Sequence, residues 1–227
     1  MDAIIKAIGM LFGEDPELRQ IIGVTLQMSL TSTTISALIG IPLGILVGVN
    51  EFRGKAWVQR IMNTLMGLPP VVVGLAVFLT LSRSGPLGTF KLLYSVPAMV
   101  TAQVILITPI LAGLSATLVS IRAAQIRETA DGLGIPRLKQ YLYLLYESRQ
   151  EFFSTILVGF GRAIAEVGAV QIVGGNVQYK TRVMTTAIML QTNMGHFEFA
   201  IALGGVLLLI AFIINIAAHR LQGRVLA

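Results

Sequence analysis

An arginine and a glutamate interrupt an apolar run between residues 152 and 174. Arg162 and Glu166 are four residues apart, so a helix would place them one turn apart on the same face. A lone charge at membrane depth costs at least about 2.5–3.5 kcal/mol, and an opposite charge one turn away lowers that cost. The spacing therefore predicts an ion pair. The pair either locks the helix into its bundle or forms part of a path or gate for a solute.

A second polar group follows the flexible pair Gly174-Gly175. Asn176, Lys180 and Arg182 could contact an anion or the rim of a partner protein, or they could be ordinary solvated loop residues. Hydroxyl groups of the first apolar run are weaker candidates, because they usually bond to their own backbone or to a neighbouring helix. They belong to Ser29, Thr31, Ser32, Thr33, Thr34 and Ser36.

Residues that would support catalysis or cofactor binding are missing from the sequence. It contains no GxxxxGK[ST] phosphate-binding loop, and no serine or histidine has the context of a nucleophile elbow. There is no cysteine, and His196 and His219 are too far apart in sequence to suggest a metal pair. We therefore expect neither an enzyme nor a cofactor or metal site. Energy for any transport must come from another subunit or an ion gradient.

Membrane-spanning helices must position these residues. The 227-residue chain is 55% hydrophobic and 12% charged, about half the charge of a soluble domain. Its apolar runs can cross a hydrocarbon core of about 30 Å, and no strand periodicity favours a barrel. The sequence therefore predicts a single all-α integral membrane domain over residues 1–227. The five predicted spans are roughly 21–49, 58–82, 94–119, 152–174 and 197–218.

Basic residues between the spans predict their orientation. Ten lie on one side and six on the other, with Arg162 inside the fourth span, and the richer side faces the cytoplasm. The N-terminus is then outside and the C-terminus inside, and the net charge of +6 needs no nucleic acid as a partner. Segment 1–20 does not resemble a cleaved signal, and its apolar stripe predicts a short interfacial helix. The stripe consists of Ile4, Ile5, Ile8, Leu11 and Phe12.

Small residues and prolines predict how the spans pack and bend. Small residues at every fourth position let helix backbones approach closely. Two stripes have this spacing: Ser36, Gly40, Gly44 and Gly48 in the first span, and Gly161, Ala165 and Ala169 in the fourth. Prolines should kink or interrupt the spans, which suits a bundle that opens and closes. They are Pro42, Pro69, Pro70, Pro97 and Pro109.

A charged segment over residues 121–148 separates the third and fourth spans. It predicts two short helices joined by a break at Gly132, Gly134 and Pro136, with Pro136 in the first turn of the second helix. The second helix should carry one apolar stripe, formed by Leu138, Tyr141, Leu142 and Leu145. Such a stripe either docks in a groove of a partner protein or packs against the base of the bundle.

Within this segment, the residues ETADGLG resemble the EAA signature of permeases from ABC importers. Glu128 matches the acidic residue, Ala130 the second alanine and Gly134 the glycine, whereas Thr129 replaces the first alanine. Leu144 suits the later hydrophobic position, but Tyr146 and Glu147 stand where the signature has Leu-Pro. The resemblance implies that 121–148 is a coupling loop seated in a cleft of an ATPase subunit. Its contact residues would be Glu128, Ala130, Gly134, Pro136, Leu138, Tyr141 and Leu142.

Further segments resemble the oxyanion branch of that family, the permeases for molybdate and tungstate. They are LPPVVVGL (68–75), SGPLG (84–88), GRAIAEVGAV (161–170), GGN (174–176) and TRVMTTAI (181–188), the last two being most similar to tungstate permeases. The resemblance implies the type I importer fold with five spans per chain. The candidates for the translocation path or gate are Pro69, Pro70, Arg162 and Glu166.

The resemblance also implies the partners and the location of the chain. Two permease chains would form a homodimer in the inner membrane of a bacterium or archaeon, surrounded by lipid. Two cytoplasmic ABC ATPase subunits would hold ATP and Mg²⁺, and an extracytoplasmic protein would deliver the oxyanion.

Alternative functions remain open at this point. The substrate could be sulfate or another small solute. An ion-coupled secondary transporter could use Arg162 and Glu166 directly, although the five spans show no convincing inverted repeat. A non-transporting scaffold that recruits a soluble partner through 121–148 is a third possibility.

Overall fold

The computed structural model describes residues 16–224 as helices joined by short connections, with no β-strand among them. Side chains at positions 125, 127–129, 131 and 217–224 are outside this description, as is the predicted interfacial helix near the N-terminus. We label the described α-helices in chain order. They are α1 (Pro16–Val49), α2 (Lys55–Met66), α3 (Pro70–Leu81), α4 (Val96–Gly132), α5 (Arg137–Glu147), α6 (Arg149–Ile164), α7 (Gly168–Gly174), α8 (Met184–Asn193) and α9 (Phe197–Arg224), with a 3₁₀ turn at Gly88–Phe90.

Three of the described helices are long and apolar enough to cross a membrane. These are α1, the Val96–Ala124 part of α4 and the Phe197–Ile216 part of α9. The pairs α2/α3 and α6/α7 add two candidates if each pair forms one interrupted span. The all-α architecture with apolar spans is therefore confirmed, and the number of spans lies between three and five.

The interruptions follow the prolines only in part. The break between α2 and α3 falls at Gly67–Pro69, as predicted for Pro69 and Pro70. Pro42 and Pro109 do not interrupt their helices, because α1 and α4 continue through these residues. Pro97 lies in the first turn of α4, where a backbone N–H has no acceptor within the helix, so proline is tolerated there. The fourth predicted span breaks at 165–167, which contains no proline.

The chain folds into two compact units, each built from segments that are distant in sequence. One unit contains residues up to Ser32, Pro69–Val104 and the residues from Phe160 onward. Its first apolar cluster joins α1, α8 and α9 through Leu18, Ile21, Met184, Ala187, Leu203 and Val206. Its second cluster joins α1, α4, α7 and the residue before α8 through Met28, Met99, Val100, Val170 and Val183. Helices distant in sequence thus share the core that holds α7 and α8 in place.

The other unit contains Thr33–Leu68 and Ile105–Gly159, and a glycine stripe packs α1 against α4 within it. A Cβ atom added to Gly40 would lie 2.8 Å from the carbonyl oxygen of Thr108, and one on Gly48 would lie 2.6 Å from that of Ala116. Side chains cannot fit at these positions unless the backbones separate. The close approach predicted for the first stripe is confirmed.

The second predicted stripe does not form a packing surface. A Cβ on Gly161 would meet no atom within 4 Å, and Ala165 is exposed. The four-residue period fails because α6 ends at Ile164, before the stripe is complete. Only Ala169 makes a close contact, since a Cβ on Gly74 would lie 2.7 Å from the Ala169 Cα atom.

Candidate functional site

The 121–148 segment begins as an extension of a long helix. α4 continues to Gly132, so the first of the two predicted short helices is not a separate element. A break follows at 133–136, where Gly134 has a φ of +67° and the Ile135 N–H donates to the Ala130 carbonyl at 2.9 Å. Pro136 directly precedes α5 instead of lying in its first turn, and its carbonyl accepts the Lys139 N–H at 2.9 Å. The break redirects the chain as expected, with the glycine in the left-handed conformation that ends a helix.

Helix α5 has two apolar faces instead of the single stripe that was predicted. Leu144 is 3% exposed and packs in a cluster with Val49, Val119 and Phe152, and Tyr141 lies against that cluster. The Tyr141 hydroxyl donates to the Asn50 Oδ1 atom at 3.1 Å. Leu138 and Leu142 point away from the cluster and are 73% and 60% exposed. One face therefore anchors α5 to its unit, and the other is free in the single chain.

Charged residues hold both ends of the connection between α5 and α6. Arg122 forms ion pairs with Glu151 and, at 3.4 Å, with Glu147. The Arg149 guanidinium lies 4.2 Å from the centre of the Tyr146 ring. Glu147 and Tyr146 are the residues that depart from the Leu-Pro end of the EAA signature, and here both have partners. Sequence reasoning missed these contacts, because nothing in the spacing of Arg122 and Glu151 signals that they meet.

Among the other predicted residues of this segment, Ala130 is buried. Glu128 lies in α4, and its side chain is outside the description.

The starts of α3 and α7 lie beside each other in the first unit. Pro69 directly precedes α3 and accepts the Val72 N–H at 3.0 Å, and Pro70 is the first residue of that helix. Along the contact of α3 with α7, a Cβ on Gly168 would lie 3.0 Å from a methyl group of Val71. The structure thus brings the predicted residues Pro69 and Pro70 close to the start of α7.

The Arg162–Glu166 ion pair forms as predicted, but Glu166 is not on a helix. It lies in the break between α6 and α7, and its Oε2 atom is 2.6 Å from the Arg162 Nη1 atom. Its Oε1 atom accepts the Ala169 N–H at 3.0 Å, and its carbonyl accepts the Thr185 hydroxyl at 2.8 Å. The Glu166 side chain is 3% exposed and that of Arg162 is 34% exposed. The carboxylate is therefore fixed at a helix break, where backbone groups need partners.

A buried glutamine supports the same break and was not anticipated from the sequence. The Gln103 Nε2 atom donates to the Ala163 carbonyl at 2.8 Å, and the Ser32 hydroxyl donates to the Gln103 Oε1 atom at 2.5 Å. The Ala163 carbonyl belongs to the last turn of α6, where carbonyls lack their usual helical partners, and it also accepts the Glu166 N–H at 3.3 Å. Ser32 thus bonds to a neighbouring helix, which is the ordinary alternative to binding an anion. Of the other hydroxyl residues in the first span, Ser29, Thr33 and Ser36 are buried, and Thr31 and Thr34 are exposed.

Two of the three predicted loop residues beyond α7 come together. The Arg182 Nη1 atom is 2.6 Å from Oε1 of Glu17, and its Nε atom donates to the Asn176 Oδ1 atom at 3.3 Å. Lys180 is exposed. The charge of Arg182 is therefore already balanced at the start of α1. No group of three or more metal-ligating side chains occurs in the part of the chain that the structure describes.

The described helices, three of which are long and apolar enough to cross a membrane and four of which form two bent pairs, define an all-α membrane protein. The family model for the binding-protein-dependent transport system inner membrane component matches residues 40–227. The match covers well over half of the chain, so the chain belongs to this family of ABC importer permeases.

Individual relatives match nearly the whole chain. The tungstate uptake system permease protein TupB of Peptoclostridium acidaminophilum is 42% identical, over 95% of each sequence. The protein of the same name from Campylobacter jejuni is 38% identical, over 97% of this chain and 92% of its own. A sulfate transport system permease protein, CysW of Synechococcus elongatus, is 24% identical over 91% of this chain and 74% of its own.

The fold is also found in a solved transporter. A chain in the crystal structure of a bacterial ABC transporter involved in the import of the acidic polysaccharide alginate superposes with a TM-score of 0.71. The alignment covers 96% of this chain and 83% of that chain at 20% identity. At this identity the likeness shows the fold alone.

Proposed function

We propose that this chain is the permease subunit of an ATP-driven importer that moves tungstate across the cytoplasmic membrane. The observation that carries the proposal is the identity of 42% and 38% to two tungstate uptake permeases along nearly the entire chain. The sulfate permease, a relative in the same family, is only 24% identical. A substrate shared with the tungstate permeases accounts for this difference more simply than one shared with the sulfate permease.

In the proposed topology the chain crosses the membrane five times, and the interrupted pairs α2/α3 and α6/α7 each form one span. The N-terminus is outside and the C-terminus is in the cytoplasm of a bacterium or archaeon. Two copies form the pathway about a two-fold axis. An extracytoplasmic protein delivers the anion, and the exposed Lys180 is available to meet the anion or that protein.

Coupling to ATP hydrolysis occurs through α5. Two cytoplasmic ATPase subunits hold ATP and Mg²⁺, and the permease itself catalyses nothing. Leu138 and Leu142 on the exposed face of α5 insert into a cleft of the ATPase, as amphipathic helices do in hydrophobic grooves. The opposite face, with Tyr141 and Leu144, is packed in the permease, so a movement of the ATPase is transmitted to the core around it. Gly134 and Pro136 set the direction in which α5 leaves α4.

The gate lies at the two adjacent helix breaks. Irregular backbone at membrane depth is tolerated where it is buried in protein or lines a wet cavity. Pro69 and Pro70 form one break, and Glu166, held by Arg162, lies in the other. The short helices α3 and α7 that follow these breaks pack on each other, so a shift of one moves the other.

Uptake by a reconstituted complex tests this function. The permease, its ATPase and its binding protein are placed in proteoliposomes, and tungstate accumulation is measured by mass spectrometry with ATP inside or outside the vesicles. We expect accumulation only when ATP reaches the ATPase side, and calorimetry should show tungstate binding to the binding protein. Uptake driven by an ion gradient without ATP, or a binding protein that takes sulfate and ignores tungstate, would refute the proposal.

A further inference from the structure

We propose that the Arg162 guanidinium is an exchangeable ligand for the transported oxyanion: it leaves Glu166 to bind the anion and returns when the anion departs. This inference rests on the proposed function, because it needs a small oxyanion as the substrate. It assigns to the ion pair a binding role that is distinct from holding the helix break together.

The two partners of the ion pair are held very differently. The Glu166 carboxylate is buried and keeps a second partner, the Ala169 N–H at 3.0 Å, when Arg162 is removed. Its backbone carbonyl is fixed separately by the Thr185 hydroxyl. The only hydrogen bond in the described structure that holds the Arg162 side chain is the one to Glu166 at 2.6 Å, and about a third of that side chain is exposed. The arginine can therefore move while the glutamate stays in place.

The neighbours of Arg162 leave room for a ligand. Gly161 precedes it, and a Cβ atom at that position would meet no atom within 4 Å. Ala165 lies three residues further on and is exposed in the single chain. Neither residue contributes to the close packing that its four-residue spacing predicted. Gly161 and Ala165 thus place no bulky side chain next to Arg162 along the chain, and the exposed third of the Arg162 side chain is open to an anion.

The chemistry of the pair suits transient binding. A guanidinium presents paired N–H donors that match two oxygens of an oxyanion, and it stays charged at any physiological pH. The fixed carboxylate competes with the anion for the same donors, which keeps binding weak enough for release. A transported ion must bind tightly enough to enter the site and weakly enough to leave it.

Substitution of Arg162 in the reconstituted complex tests the first half of the inference. The readout is the ratio of tungstate imported to ATP hydrolysed, because a lost ligand lowers transport more than hydrolysis. We expect Arg162→Gln to lower this ratio at least tenfold, and Arg162→Lys, which keeps the charge but not the paired donors, to have an intermediate effect. Lys55→Gln is the matched control, since Lys55 and Glu51 form an ion pair with the same four-residue spacing at 2.7 Å; the ratio should not change.

Direct binding tests the second half, with variants that keep the fold. Equilibrium dialysis of the purified permease against sodium tungstate should show at least tenfold tighter binding by Glu166→Gln, because its amide can still accept the Ala169 N–H while the arginine is released. Adding Arg162→Gln to that variant should remove the gain.

Two results would overturn the inference. One is equal tungstate binding by the wild type and Glu166→Gln. The other is a parallel loss of uptake and hydrolysis in Arg162→Gln, which indicates a structural role only. If the wild type imports molybdate or sulfate but not tungstate, the proposed substrate is wrong. The exchange of Arg162 between Glu166 and the anion is then tested with the same variants and the anion that the wild type imports.

Discussion

The exposed leucines of α5 should contribute measurably to the affinity of the permease for its ATPase. Full burial of a leucine side chain stabilises a protein by about 1.5–3 kcal/mol. Leu138 and Leu142 are 73% and 60% exposed in the single chain, so most of that contribution is still available for a partner. Covering them in a cleft should add about 1–2 kcal/mol each. Together, the substitutions Leu138→Ala and Leu142→Ala should weaken the complex by about 2–4 kcal/mol, or roughly 30- to 700-fold in Kd.

The assay compares binding with stability. Kd is measured by biolayer interferometry between nanodisc-embedded permease and the purified ATPase subunit, and the thermal midpoint of the permease is recorded alone. The double variant should lose affinity with an unchanged midpoint. The control is Leu144→Ala on the same helix, because Leu144 is buried and its truncation should cost the permease about 2–5 kcal/mol of stability. A double variant that binds the ATPase as tightly as the wild type would show that this face does not dock.

Three further variants test the packing and polar contacts. Gly44→Val should lower the free energy of unfolding by about 1–3 kcal/mol, because a Cβ at Gly44 overlaps the Ala112 carbonyl and lies 2.7 Å from the Ser115 Cβ atom. The control is Gly23→Val in the same helix, which has open space around it and should leave the thermal midpoint nearly unchanged. Gln103→Leu should cost about 0.5–1.5 kcal/mol, because it removes the 2.8 Å hydrogen bond to the Ala163 carbonyl and leaves only the Glu166 N–H at 3.3 Å. A thermal midpoint equal to that of the wild type would contradict this. Glu166→Gln should reduce tungstate uptake in cells at normal expression, and normal uptake would remove the ion pair from the mechanism.

Features set by neighbours in sequence were predictable. The glycines at every fourth position of α1 lie on one face of the helix. Because they have no side chains, that face lets the backbones of α1 and α4 approach closely. Pro69 and Pro70 separate α2 from α3 because two consecutive prolines remove two backbone donors. Arg162 and Glu166 meet because four residues are about one helical turn, and the pair persists although the helix ends between them.

Features set by distant residues could not be predicted. The break at 165–167 has no proline or turn motif to announce it, and Gln103 supports it from a different helix. Arg122 meets Glu151 only because α4 continues beyond its apolar run and reaches the first turn of α6. The division of α5 into a packed face and a free face depends on the cluster around Val49 and Phe152, which periodicity alone cannot locate. Local spacing thus predicts pairs and breaks, and tertiary packing decides which face of a helix remains available.

The sidedness of the 121–148 segment is the most direct test of the proposed coupling to a cytoplasmic ATPase. The chain contains no cysteine, so in a single-cysteine variant the introduced residue is the chain's only site of maleimide labelling. Lys139 on α5 and Lys180 beyond α7 are both exposed, and each is replaced by cysteine in a separate variant. A membrane-impermeant maleimide applied to intact cells should label Lys180→Cys and not Lys139→Cys, and permeabilised cells should label both. Labelling of Lys139→Cys in intact cells would place α5 outside the cell and contradict its docking to a cytoplasmic ATPase.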